Sequence, residues 1–135
     1  MSATADAEPA QAARGPNLRI AEVVFDCNQP EVAIAFWSAA LGYERGWSNG
    51  QFSQLHDPAG NGLTLLFQQV PEAKAGKNRL HVDLTTADQA GEVARLAGLG
   101  GRVMREMAEM GANWTVMADP EGNEFCVVAA ALQGD

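Results

Sequence analysis

One turn is written twice in this chain. The pattern Asp-Pro-x-Gly-Asn stands at 57–61 in "HDPAGNGLTLLF" and at 119–123 in "ADPEGNEFCVVA", each time leading into an apolar run. Proline presets φ and Gly or Asn accepts positive φ, so each copy reads as a tight loop between two strands. A repeated hairpin implies a repeated unit, and the flanking sequence supplies one. A β-branched stretch, "LRIAEVVFDC" in the first copy and "RLHVDLTT" in the second, precedes a helix-period segment closed by glycine, "PEVAIAFWSAALG" and "ADQAGEVARLAGLGG".

The order β-α-β-β-β thus runs twice. Superposing Glu22 on His81, Leu41-Gly42 on Leu99-Gly100 and one turn on the other requires offsets of 59, 58 and 62 residues, differences that loops absorb. Two copies of this length are too few and too long for a solenoid. The expected fold is α+β: two βαβββ modules, 18–70 and 80–131, joined by a polar linker at 71–79. Two sheets related by pseudo-symmetry would each carry a helix on the outer face, their inner faces forming a shared ligand cleft. Residues 1–17, small and polar, read as a flexible tail, with docking on a partner subunit as the alternative.

Composition removes several function classes. A formal net charge of −8 with nine scattered Lys and Arg gives no footprint for a nucleic-acid partner. No apolar run reaches the roughly 20 residues of a membrane helix, and no secretory leader is recognisable, so a cytoplasmic protein without membrane contact is expected. Two cysteines, Cys27 and Cys126, match neither a disulfide framework nor a paired zinc spacing. The acidity is read as solubility, or else as a field favouring a cationic ligand. Neither a phosphate-binding loop nor a dinucleotide fingerprint is present.

With its paired modules, "CNQPEVAIAFWSAALGYE" in the first, "KNRLHVDL" opening the second and "WTVMADPEGNEFCVV" closing it, the chain resembles the glyoxalase-like branch of the vicinal oxygen chelate superfamily over 18–131. The resemblance implies a half-open mixed β-barrel with the helices outside, in whose inner wall, in the metal-using members, His and Glu side chains from the first and last strands of each module hold a divalent cation. The matching positions here are Glu22, Thr64, His81 and Cys126. Neither last strand offers the usual carboxylate, which argues against glyoxalase I activity itself and leaves no metal favoured. A metal, where bound, would use Glu22, His81 and Cys126, the thiolate selecting a softer ion such as zinc. The resemblance also implies a homodimer.

Strand alternation extends the candidate wall. If Glu22 points inward so does Asp26; His81 brings Asp83, and Thr64 brings Gln68. Close carboxylates beside an imidazole suit metal-free acid/base work, so His81, Glu22 and Asp26 are the expected catalytic residues. Thr64, Gln68, Asp83, Cys126, Trp47 and Trp114 are the expected ligand contacts, the two tryptophans lying near loops at corresponding places of the modules. Each has a structural reading beside the functional one: His81 a satisfied core histidine, Asp26 a turn hydrogen bonder, Asp83 a partner of Arg79, Cys126 an inert buried thiol. Three functions remain: acid/base conversion of a small organic molecule, a metal-dependent lyase, isomerase or dioxygenase, and sequestration of a drug or metabolite without turnover.

Overall fold

The computed structural model describes residues 16–130, so the tail expected at 1–17 lies, but for its last two residues, outside the described residues. In the first module β1 (Val23–Cys27) leads into α1 (Pro30–Leu41), then β2 (Glu44–Ser48), β3 (Phe52–His56) and β4 (Leu65–Gln69). The second repeats the order with β5 (Val82–Thr86), α2 (Gln89–Gly98), β6 (Arg102–Glu109), β7 (Ala112–Ala118) and β8 (Glu124–Ala129). Each module is a four-stranded mixed sheet, ordered β1-β4-β3-β2 and β5-β8-β7-β6, with its first and last strands parallel. The two sheets do not close into a barrel, and β1 and β5 each keep one free edge. β1 begins later than its apolar run because a strand needs a partner: Val23 pairs with Leu65, the first residue of β4, while residues 18–21 are exposed.

Pro30 opens α1 at a position where its missing N–H costs nothing, and Gly42 closes it in the left-handed region with its N–H on the Ser38 carbonyl. Ala33, Ile34, Phe36 and Trp37 are all buried, so this helix serves more than one wall of the core. Trp37 meets Phe25 of the first sheet edge-on at 5.2 Å and Phe125 of the second at 5.0 Å. One apolar core therefore spans both modules, joining Leu55, Leu65 and Phe67 to Leu96, Met117, Phe125 and Val127. Because side chains alternate along a strand, sending Val82, Leu84, Phe125 and Val127 to this core sends His81, Asp83 and Cys126 to the opposite face, away from the helices.

The modules are bolted together by the second Asp-Pro-x-Gly-Asn turn. Asp119 is fully buried: its Oδ2 accepts from Trp37 Nε1 at 2.9 Å, and its Oδ1 accepts from the N–H groups of Glu121 and Asn123, both at 2.9 Å. The Glu121 carboxylate accepts from the backbone of Asn28 and Gln29, capping α1, whose N-cap Gln29 makes no side-chain cap of its own. Asn123 donates to the Asp26 carbonyl at 3.1 Å.

Candidate functional site

Four strands of the second sheet contribute one residue each to a single row. Asp83 on β5 pairs with Cys126 on β8, Cys126 with Val116 on β7, and Val116 with Arg105 on β6. His81 lies just before β5, two residues ahead of Asp83 and so on its side of the sheet, with Nε2 3.2 Å from Asp83 Oδ1. The ligand atoms of His81, Asp83 and Cys126 all fall within 4.8 Å of one another. A cavity of about 190 Å³ opens on this face, with Lys77, Arg105, Met107 and Trp114 around the His81 and Cys126 side chains. A second cavity of about 530 Å³ runs along the free edge of β1 to the linker and includes Asp26, Asn78 and Arg79. His81 and Glu124 line both cavities, so they stand on the partition between them.

Electrostatics assign roles within the cluster. A carboxylate against one imidazole nitrogen fixes the ring's orientation and leaves its other nitrogen free to meet a ligand. Burial pushes the Cys126 thiol up, and Asp83 pushes it further by its charge and a hydrogen bond, while Lys77 and Arg105 pull it down. The sulfur is therefore a neutral thiol rather than a nucleophile at neutral pH. Cys27, the last residue of β1, is pushed up to about 12 by burial first and then by Glu121, Asp119 and Asp26. As donors for a divalent metal, nitrogen, oxygen and sulfur from His81, Asp83 and Cys126 suit zinc, three protein ligands leaving a position for substrate.

The sequence-predicted residues divide between this site and its surroundings. His81, Cys126 and Trp114 line the smaller cavity, Asp83 stands beside His81 and Cys126, and Asp26 and His81 both line the larger cavity. Glu22, just ahead of β1, lines neither cavity, and Asp83 stands in the potential metal set where the sequence had suggested Glu22. Thr64 precedes β4 and carries its carbonyl to the Val23 N–H at 3.0 Å, and Gln68 is the register partner of Asp26. Trp47 lies on β2, 49% exposed, away from both cavities, so the two tryptophans are not equivalent. Lys77, Arg105 and Glu124 escaped sequence reasoning. Glu124 carried a usable signal, since it lies two residues before Cys126 and therefore on the same face of β8.

A family model described as a glyoxalase-like domain matches residues 22–128. The comparison with curated proteins finds no match. Among solved structures the chain is similar to a mutant of the fosfomycin resistance protein FosX from Listeria monocytogenes, complexed with Mn(II) and a dihydroxypropylphosphonic acid. The TM-score is 0.71 at 13% identity over 85% of this chain and 92% of that one. A lactoylglutathione lyase from Agrobacterium tumefaciens gives 0.62 at 21% identity, over 88% and 98%. A glyoxalase-related enzyme from Fulvimarina pelagi gives 0.67 at 17%, over 83% and 88%. At these identities the likeness is one of fold.

Proposed function

The chain belongs to the glyoxalase-like domain family of the vicinal oxygen chelate superfamily, and on that premise we propose that it binds a small organic molecule on the open face of its second module and moves a proton on it with His81. The observation that carries this reading is the His81–Asp83 pair, 3.2 Å apart, at the wall shared by two cavities. Asp83 orients the imidazole, and His81, 43% exposed, keeps its ring open to a ligand from either side. The buried Cys126 thiol and Val116 floor the site. Positioned proton transfer of this kind contributes typically 10²–10⁴-fold to a rate. His81→Ala is expected to abolish turnover or binding while the circular dichroism spectrum is unchanged. Retention of turnover and binding by a folded His81→Ala protein would refute the reading.

A second reading is favoured by the 4.8 Å grouping of three donors. A divalent metal bound there would be held by His81, Asp83 and Cys126 and would supply a Lewis acid. Metal content of untagged protein by plasma mass spectrometry separates the readings: near-stoichiometric metal that disappears in His81→Ala favours the second. The chain acts as a homodimer in either case, with exposed Val24 and Trp47 of the first module available for a second copy to cover. Light scattering tests this, and a monomer would contradict it.

A further inference from the structure

The cavity beside His81 gathers two cations, Lys77 and Arg105, against one carboxylate, Glu124. From Asp83 to Arg105 the row crosses three inter-strand steps, about 14 Å at roughly 4.8 Å each. Asp83 is engaged by His81, whereas Arg105 makes no ion pair among the described residues. Lys77, on the same cavity, keeps only a loose 3.7 Å contact with Glu124. Both cations are close enough to act on the Cys126 sulfur at the floor. Two of the nine Lys and Arg of a chain with net charge −8 thus converge on one small cavity. Apart from His81 and Glu124, its remaining walls, Trp114, Met107, Val116 and the Cys126 thiol, are largely apolar.

A guanidinium is a planar fork that matches the two oxygens of a carboxylate, and an indole face accepts a flat apolar body. We infer that this cavity takes a small organic carboxylate, its anionic group held by Arg105 with Lys77 in support, its apolar body against Trp114 and Met107, and its far end toward His81. The inference rests on the proposed ligand face and names the class of molecule that occupies it. It also reverses the cationic ligand suggested by the chain's acidity, because the local field, not the net charge, meets the bound group. A cavity of about 190 Å³ is small, which suits an acid of one ring rather than several.

The test uses benzoate as probe and benzamide as its neutral isostere, titrated into the full chain while the indole N–H of Trp114, assigned with Trp114→Phe, is followed by NMR. Benzoate is expected to move that resonance, to bind about tenfold or more tightly than benzamide, and to weaken with added salt. Arg105→Gln, on an exposed strand, should keep a dispersed spectrum and lose the preference, and Arg105→Lys should recover part of it. If benzamide moves Trp114 as strongly as benzoate, the carboxylate inference is overturned while the ligand face survives. If neither probe moves Trp114 up to its solubility limit, the inference and the ligand face fall together.

Discussion

The two Asp-Pro-x-Gly-Asn turns are nearly identical in sequence and opposite in circumstance. In both, the aspartate accepts backbone N–H groups of its own loop: Ala59, Asn61 and Gly62 for Asp57, Glu121 and Asn123 for Asp119. Both glycines sit at positive φ, 78° and 88°, where a side chain would be strained. Yet the first turn lies at the surface, whereas the second sets a fully buried aspartate against α1, its carboxylate satisfied by an indole from the other module. Duplication copied a local solution to turning the chain, and assembly of two copies gave one of them a second task. The rest of the second module differs in the same way, since its open face carries the His81 cluster while the twin positions Glu22 and Thr64 stay outside it.

The largest expected effect of that asymmetry is on stability. Asp119→Ala leaves the Trp37 indole and two backbone donors without an acceptor, at an expected cost of about 3 kcal/mol or more. Asp57→Ala, in water, should cost clearly less by urea denaturation; equal losses would erase the distinction between the turns. Trp37→Phe, which removes a donor but keeps most of the ring, should cost on the order of 1–3 kcal/mol. Glu121→Ala, which uncaps α1, should cost about 1 kcal/mol, whereas Ala59, its counterpart in the first turn, offers no such side chain.

A subtler difference is the pH dependence. Burial, outweighing its hydrogen bonds, holds the Asp119 carboxyl above its ordinary range, so the folded chain binds that proton more tightly than the unfolded chain. Its linkage contribution is fully present below the unfolded value and is lost as pH rises through the folded one. For Asp57, the Ala59 N–H above all, with Gly62 and Asn61, holds the carboxyl below its ordinary range. That contribution is present above the unfolded value and is lost as pH falls through the folded one. Measured against the matching Asp→Asn variants, the two positions should give stability slopes of opposite sign in the acid limb. Slopes of one sign would mean that the two carboxylates share an environment.

The fold was legible because its punctuation is local. Pro30, Gly42 and the repeated turns act within a few residues of themselves, and strand alternation followed from their spacing. The site was legible in part for the same reason: His81 and Asp83 share a strand face, and the turn offset located Cys126. What escaped depended on contacts between distant segments. Equivalence of Glu22 and His81 in the repeat does not bring them together, because each belongs to its own sheet and the sheets are not hydrogen-bonded to one another. Arg105 reaches the cavity only through the register of β6 on β7, which carries a shift between Val103 and Arg105 that alternation alone does not anticipate. Trp37 read as core, and is, but its indole N–H needed a partner 82 positions away.

The proposed ligand binding belongs to the second module's His81 face and not to its first-module counterpart. The direct measurement is a thermal-shift screen of small organic acids run in parallel on wild type, His81→Ala and Glu22→Gln. Compounds that stabilise the wild type should stabilise Glu22→Gln equally and His81→Ala not at all. Stabilisation that survives in His81→Ala, or is lost in Glu22→Gln instead, would contradict the account.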